Sequence, residues 1–290
     1  QSRLTNDPND CIGVSVSGDR RALVTSRSDG RLDLWVGDAG GTTGTEVVRR
    51  APISIERIAW SGDQLLYGSV VGGQPAILRV NAGQGTPEEV ALDAVSFAVT
   101  RDERTIVFVS TTANNLDLWK ADASGRRIAR LVSTVTANQL AITPDDRFVL
   151  YGSITGGTVS IYAVPIEGGT PTKLTDGNSV AVSPDGSSMA FTDSRGSLVI
   201  CPLPGCTSPR TIGSAQFDGA VSWTPDGRGV AYANEGNVWV QPIAGGSPRQ
   251  LTRFTDKRPI GSLAWSRDGK RLALTRSTIA NDIVLFSGLK

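Results

Sequence analysis

The stretch "SLAWSRDGKRLALTR" (residues 262–276) contains the pattern that decides the fold. An apolar run leads into Ser-Arg-Asp-Gly, and a second run of alternating apolar and polar residues follows directly. An Asp side chain caps nearby backbone N–H groups and Gly adopts a positive φ, so the tetrapeptide is typical of a tight turn. The stretch therefore predicts two antiparallel strands joined by an Asp turn.

The same hairpin pattern recurs along the whole chain. Its turn aspartates are separated by 44, 39, 43, 40, 41 and 42 residues. They are Asp19, Asp63, Asp102, Asp145, Asp185, Asp226 and Asp268. Each unit continues with a third strand, a Gly-rich turn and a fourth strand, as in "NVWVQPIAGGSPRQLT" (237–252). A period of about forty residues is typical of propeller blades. The sequence thus predicts an all-β fold, a seven-bladed β-propeller of four-stranded antiparallel blades.

The two ends of the chain predict how this ring closes. The seventh unit has three strand segments but no fourth, whereas the chain opens with "QSRLT" (1–5), which is similar to the fourth-strand segment "PRQLT" (248–252). Pairing of these first residues with the last unit would leave no exposed edge strand. We therefore predict a single domain over residues 1–290, in which residues 1–5 pair with the blade formed by 261–290 and the N-terminal strand completes the last blade.

Composition excludes several classes of function. The 29 Lys and Arg residues nearly balance the 28 Asp and Glu residues, so nothing drives the chain towards nucleic acid or an anionic membrane. No apolar run approaches the roughly 18 residues of a membrane span. The chain has no His, which removes the usual general base and imidazole metal ligands. We expect no enzymatic activity, no catalytic residues, no cofactor, no metal, no membrane insertion of this domain and a monomeric state.

Repeated Asp and Trp positions have a structural interpretation. The turn aspartates are interpreted as capping residues, with a sialidase-like Asp box or a calcium site as the alternative. Tryptophan stands three residues before the turn Asp in three units, where the other units have Val or Ile. A position that accepts such different side chains is selected by volume. We therefore expect packing between blades, with a ligand-stacking cage as the alternative, for Trp60, Trp223 and Trp265.

Units of the form "LAWSRDGKRLAL" and "GNVWVQPIAGGSPRQLT" resemble the TolB-type propeller repeat, a bacterial relative of WD-type repeats. More narrowly, residues 237–286 resemble the C-terminal region of membrane-anchored bacterial serine/threonine kinases. In that family a cytoplasmic kinase domain, a membrane helix and an extracytoplasmic propeller share one polypeptide. The H-R-D and D-F-G motifs of the kinase itself do not occur in this chain. The resemblance implies an extracytoplasmic sensor domain that is tethered to the membrane in the full-length protein.

Two of the three cysteines occupy matching sides of one predicted hairpin. Cys201 and Cys206 bracket "PLPG", where other units have "QPIAGG" and "VPIEGG". Such a pair can reach disulfide geometry, and a disulfide implies an oxidising compartment. We predict a Cys201–Cys206 bridge, with two free thiols as the alternative. Cys11 has no evident partner.

The predicted ligand face carries the loops that lead from second to third strands and from one blade to the next. Arginine captures carboxylate or phosphate groups in a bidentate manner, and aromatic side chains act as anchors. The candidate ligand-binding residues are Arg27, Arg57, Arg195, Phe217, Phe254, Arg258 and Arg276. They predict a protein or peptide ligand with an acidic group. The alternative is that each Arg is solvated or pairs with an acid such as Asp193, Asp218 or Asp256.

Three functions remain open on the sequence. The first is a non-catalytic recognition or sensor module for a peptide, a protein or an envelope ligand. The second is a TolB-like periplasmic scaffold for protein partners. The third is a carbohydrate-active enzyme that uses two carboxylates, with or without calcium. Two or three carboxylates at one channel mouth would favour the enzyme, for which the candidates outside the turns are Asp193, Asp218, Glu235 and Asp282.

Overall fold

The computed structural model describes residues 10–18, 22–52, 57–83, 85–110, 116–133, 135, 140–214 and 221–287. In these ranges the regular elements are β-strands, and no helix has the length and apolarity that crossing a bilayer requires. Three strands precede the first complete blade. They are β1 (Asp10–Val16), β2 (Ala22–Asp38) and β3 (Gly44–Pro52).

Five four-stranded antiparallel blades follow, each made of consecutive strands. Blade 1 is β4 (Ile58–Ser61), β5 (Gln64–Val71), β6 (Gln74–Asn81) and β7 (Glu88–Leu92). Blade 2 is β8 (Ala94–Val99), β9 (Thr105–Ser110), β10 (Asp117–Asp122) and β11 (Arg127–Val132). Blade 3 is β12 (Ala141–Ile142), β13 (Phe148–Thr155), β14 (Thr158–Pro165) and β15 (Thr172–Asp176). Blade 4 is β16 (Asn178–Val182), β17 (Ser188–Thr192), β18 (Ser197–Pro202) and β19 (Arg210–Ser214). Blade 5 is β20 (Ser222–Trp223), β21 (Gly229–Asn234), β22 (Asn237–Pro242) and β23 (Arg249–Gln250).

Blade 6 combines strands from the N-terminal part of the chain with strands from its C-terminal part. Its inner strands are β24 (Ile260–Trp265) and the first half of β25 (Arg271–Ser287), and its outer strands are the second half of β2 and β3. β2 and β25 pair along their whole length of 17 residues. Their other halves continue past the blade and form, with β1, a three-stranded extension. The extension leaves the side of the ring opposite the Asp268 turn, because β25 runs away from that turn.

The predicted number of seven blades is wrong, since the structure has six. The first and last sequence units each contribute half of blade 6 instead of forming separate blades. The sequence predicts two strands and a loop in residues 271–287. The structure has one continuous strand there, because these residues contain no Gly or Pro to turn the chain. The predicted closing strand at residues 1–5 and the Asp19 turn lie outside the described residues. The structure closes blade 6 with β2 and β3.

Six clusters of buried apolar side chains lie between the blades, one at each junction between neighbours. Leu34 and Ala273 of blade 6 pack with Tyr67 of blade 1. On its other side, blade 6 packs Trp35 and Leu272 against blade 5. Blade 6 therefore contacts both of its neighbours through a buried core, and the ring is closed.

The tryptophans before the turns contribute to these junctions. The indole N–H of Trp60 donates to the carbonyl of Ala264 in the neighbouring blade (3.0 Å), and that of Trp223 donates to the carbonyl of Ala181 (3.2 Å). Trp265 packs against the cluster between blades 5 and 6. The prediction that these side chains pack between blades is confirmed.

The Asp turns of blades 2 to 6 share one hydrogen-bond pattern. In each, the carboxylate accepts the N–H of the residue two positions later at 3.0–3.1 Å. The Ser or Thr hydroxyl two positions earlier donates to the same carboxylate at 2.6–2.7 Å. The capping role is thus confirmed for five of the predicted turn residues. They are Asp102, Asp145, Asp185, Asp226 and Asp268.

Cys201, near the end of β18, forms a disulfide with Cys206 in the turn that leads to β19. Their Cα atoms are 5.0 Å apart, and both residues are buried in the cluster between blades 3 and 4. The bridge closes the outer hairpin of blade 4.

Candidate functional site

The innermost strands of the six blades surround a central channel of about 500 Å³. Its wall contains both polar and apolar groups, and the apolar side chains include Ile58, Phe97, Ile142, Val180 and Leu263. The Asp turns surround one end, here called the turn mouth. The connections between blades surround the other end, here called the loop mouth. The two mouths carry different charged residues.

Arg57 lies at the loop mouth, directly before β4, and lines the channel. Its side chain is half-buried, and the desolvation lowers the pKa of the guanidinium to about 10, so that it stays charged at neutral pH. No carboxylate among the described residues forms an ion pair with it. A half-buried charge without such a partner suits this position to an anionic group from a ligand.

The charges at the turn mouth bind one another. The carboxylate of Asp146 accepts the backbone N–H groups of Arg101 (2.5 Å) and Asp102 (3.0 Å). Arg267 pairs with Glu103 at 3.5 Å. Asp146 and Glu103 are the carboxylates that line the channel in the described part of the chain. Asp146 links the turns of the neighbouring blades 3 and 2, and Glu103 links the turn of blade 2 to that of blade 6. This arrangement stabilises the ring of turns and offers no adjacent carboxylate pair for glycoside hydrolysis.

Three predicted ligand residues meet at blade 6. The guanidinium of Arg276 lies 3.9 Å from the ring centroid of Phe254 and pairs with Asp256. Phe254 contacts Trp35 edge to face, with a centroid distance of 5.4 Å. Arg276 is only 5% exposed, and this burial lowers the pKa of its guanidinium. Its side chain therefore stabilises the junction between blades 5 and 6.

Arg258 connects the loop before β24 to two strands from the N-terminal part of the chain. Its Nη2 donates to Asp33 (2.5 Å) and to the carbonyl of Arg276 (2.9 Å), and its Nη1 lies 3.5 Å from Glu46. Asp33 is on β2 and Glu46 is on β3. These bonds hold the outer strands of blade 6 on its inner strands.

The remaining predicted ligand residues lie apart from one another. Arg195 is exposed in the turn between β17 and β18, where its backbone N–H donates to the carboxylate of Asp193 at 2.9 Å. Arg27 stands on β2 in the three-stranded extension, opposite Cys11 and Asp282. Phe217 lies outside the described residues. Among the predicted ligand residues whose side chains the structure describes, Arg57 is the one that reaches the channel.

The candidate carboxylates that the structure describes lie in separate parts of the fold. Asp193 and Glu235 lie in blades 4 and 5 and do not line the channel, and Asp282 stands on β25 in the extension. Asp218 lies outside the described residues. Within the described ranges, no group of three or more Asp, Glu or Cys side chains is arranged to hold a metal ion.

Three arginines that were not predicted as ligand residues line a separate cleft on blade 6. They are Arg31, Arg49 and Arg50. They lie on strands β2 and β3, whereas the predicted residues were expected in loops. The adjacent pair "RR" at 49–50 is the signal that could have identified them.

The closed ring of six four-stranded sheets defines the chain as a six-bladed β-propeller. A family model described as the TolB beta propeller domain matches residues 3–182, which is more than half of the chain. The chain therefore belongs to the TolB β-propeller family. A search of curated proteins gave no match.

Solved structures with the same fold include three of low sequence identity. The putative TolB from Agrobacterium tumefaciens has a TM-score of 0.68 and 19% identity, and the alignment covers 86% of this chain and 99% of that one. TolB from Acinetobacter baumannii has a TM-score of 0.60 and 19% identity, covering 88% and 66%. A chain of a nidogen/laminin complex has a TM-score of 0.61 and 13% identity, covering 86% and 98%. At these identities the likeness is one of fold.

Proposed function

We propose that this propeller is a non-catalytic recognition domain that binds an acidic group of a protein or peptide at the loop mouth. Arg57 is the observation that carries the proposal, because its half-buried charge lines the channel without a carboxylate partner among the described residues. A carboxylate from a ligand would supply the missing partner through charge-assisted hydrogen bonds.

Apolar side chains in the channel wall support a peptide ligand. Partly exposed side chains such as Ala59 and Ile142 offer an apolar surface that a ligand side chain can contact. Arg195 is exposed on the same side of the ring and adds positive charge there. The nidogen/laminin complex contains a chain of this fold, so the architecture is compatible with protein binding.

We further propose that the domain is extracytoplasmic and forms the sensor part of a bacterial receptor serine/threonine kinase. The resemblance of residues 237–286 to the C-terminal region of such kinases supports this role. The Cys201–Cys206 disulfide supports an oxidising compartment. Membership of the TolB propeller family favours a second candidate, a periplasmic scaffold for protein partners. Kinase motifs and an apolar segment of about 20 residues encoded upstream of Gln1 would distinguish the sensor from the scaffold.

The binding site can be tested with two arginines that line opposite mouths of the channel. Fluorescein-labelled peptides rich in Asp and Glu serve as probes in fluorescence anisotropy, and matched Asn and Gln peptides serve as controls. We expect Arg57→Gln to weaken binding of the acidic peptides at least about tenfold, because a hydrogen-bonded charge pair is lost. Arg267→Gln, at the turn mouth, should bind as the wild type does.

Two results would contradict the proposal. Equal binding of acidic peptides by the wild type and Arg57→Gln would show that Arg57 is not the recognition residue. A loss confined to Arg267→Gln would move the site to the turn mouth. Thermal unfolding of both variants checks that neither substitution acts through the stability of the fold.

A further inference from the structure

The three-stranded extension has a long strand edge on the loop side of the ring. β24, the innermost strand of blade 6, pairs with β25 only at residues 272–276. β25 continues to Ser287 and pairs with β2 on its other side. No strand of the described ranges pairs with residues 278–287 on the side where β24 ends. This edge, here called the inner edge, faces the channel axis, because β24 lies between β25 and the channel.

A hydrogen bond at Ser277 identifies the backbone groups that point to the inner edge. The N–H of Ser277 donates to the carbonyl of Pro259, the residue before β24, at 3.0 Å. Consecutive residues of a strand direct their N–H and C=O groups to opposite edges, and the register with β2 has no bulge as far as Ser287. Every second residue after Ser277 therefore directs its N–H and C=O groups to the inner edge. These residues are Ile279, Asn281, Ile283 and Leu285.

One face of the extension carries exposed apolar side chains beside this edge. Ile279 and Leu285 are 63% and 62% exposed, and Val24, which pairs with Leu285, is 37% exposed. Side chains alternate between the two faces of a strand, so these three lie on the same face. Grouped apolar side chains on a protein surface mark an interaction site.

The sequence of this strand lacks the residues that usually protect an open edge. Residues 277–287 read "STIANDIVLFS" and contain one charged residue, Asp282, and no Lys, Pro or Gly. Natural edge strands are blocked by charges, Pro or bulges, and an edge without them is a template for a strand of another chain. The inner edge is therefore suited to pairing with an extended polypeptide.

We infer that the inner edge binds an extended peptide segment as a fourth strand of the extension. The inference rests on the proposed function, because it takes the ligand to be a peptide with an acidic group. Backbone hydrogen bonds supply affinity in this mode of recognition, and alternate side chains supply specificity. Apolar residues at every second position of the peptide contact the face of Ile279 and Leu285. Arg57 lies at the same mouth, directly before the innermost strand of the neighbouring blade 1, and pairs with an acidic residue of the peptide.

The test uses a fluorescein-labelled peptide of three Val-Thr repeats followed by two Glu residues, a composition that favours an extended strand. Two derivatives carry N-methyl groups, one on the Val residues and the other on the Thr residues. Each derivative loses the N–H groups of one edge and keeps those of the other. In fluorescence anisotropy with the full chain, we expect one derivative to bind as the parent peptide does. The other should bind at least about tenfold more weakly, because its hydrogen bonds to β25 are lost.

Amide hydrogen exchange of the full chain, followed by NMR, gives a second readout. The parent peptide should slow exchange at residues 279, 281, 283 and 285, whose N–H groups point to the inner edge. It should leave residues 280, 282 and 284 unchanged, because their N–H groups point to β2.

Substitutions on the apolar face have a matched control on blades 2 and 3. Ile279→Ser/Leu285→Ser should weaken binding of the parent peptide several-fold, because apolar contacts are lost. Ile128→Ser/Ile154→Ser removes two side chains of similar exposure, 56% and 60%, and should bind the peptide as the wild type does. Thermal unfolding of both double variants checks that the fold is retained.

Equal affinities of the two methylated derivatives would overturn the inference, whether both bind or neither binds. So would dimerisation of the chain with the same alternating protection in the absence of peptide, because a second copy would then occupy the edge. Arg57→Gln should weaken the parent peptide and still distinguish the two derivatives. If Arg57→Gln binds like the wild type while the derivatives differ, the proposed function fails alone. If Arg57→Gln weakens binding and the derivatives are equal, the inference fails alone.

Discussion

At the scale of single residues, a hydroxyl–carboxylate pair organises the first turn of blades 2 to 6. In blade 4, Asp185 accepts the hydroxyl of Ser183 at 2.6 Å and the N–H of Ser187 at 3.0 Å. These bonds favour the charged carboxylate and lower its pKa from 3.8 to about 2. Because the side chain is exposed, solvent screens part of this stabilisation.

The lowered pKa predicts how Asp185→Ala responds to pH. A carboxylate whose pKa falls on folding stabilises the native state above pH 4, and this contribution disappears as the pH falls through about 2. We expect the substitution to reduce the free energy of unfolding by about 1 kcal/mol at pH 7, as for the loss of a capping residue. The difference from the wild type should shrink towards pH 2 in urea titrations.

A control for this prediction is Asp63→Ala. Asp63 lies in the two-residue turn of blade 1, where its exposed carboxylate pairs with Arg271 at 2.6 Å. The substitution should cost less than about 0.5 kcal/mol, as is usual for an exposed ion pair. A destabilisation by Asp185→Ala that is equally large at pH 7 and pH 2 would contradict the role of the charged carboxylate.

At the scale of strands, local pattern predicted the complete blades better than blade 6. Turn residues mark the hairpins of blades 1 to 5, and tight turns are determined by neighbouring residues. After Thr275 the chain could turn back and pair with itself, but it continues and pairs with β2. Contacts between residues about 240 positions apart, such as Leu34 with Thr275, decide between these two pairings. No periodicity in the sequence reports such a pairing. This is why seven sequence units form six blades.

The Cys201–Cys206 hairpin allows a prediction for one pair of strands. The bridge closes a loop with a sequence separation of 5, so loop-closure entropy suggests a stabilisation of about 2 kcal/mol. We expect Cys201→Ala/Cys206→Ala to lose about this amount in urea unfolding under oxidising conditions. Reductant should destabilise the wild type and leave the variant unchanged. Equal stability of the oxidised wild type and the variant would contradict this contribution.

At the scale of the whole molecule, the closure of the ring through blade 6 explains why the predicted ligand residues have different roles. Arg258 was assigned to a loop correctly, whereas Arg276 lies on strand β25. Asp33, which both arginines meet in blade 6, comes from the opposite end of the sequence. Arg57 reaches the channel because it directly precedes an innermost strand. A sequence can indicate which residues are in loops, whereas the contacts that occupy them follow from the assembled ring.

The mode of closure predicts the effects of two shortened chains. A chain that starts at Ala22 keeps β2 and β3, and we expect it to retain the six-bladed ring and cooperative thermal unfolding. A chain that starts at residue 53 loses Leu34 from the junction with blade 1 and Trp35 from the junction with blade 5. Because both junctions would then expose apolar side chains, it should not fold. Near-UV circular dichroism, calorimetry and size-exclusion chromatography distinguish these outcomes. If the chain that starts at Ala22 were as poorly folded as the shorter one, residues 1–21 would be required for closure, and β2 and β3 would not suffice.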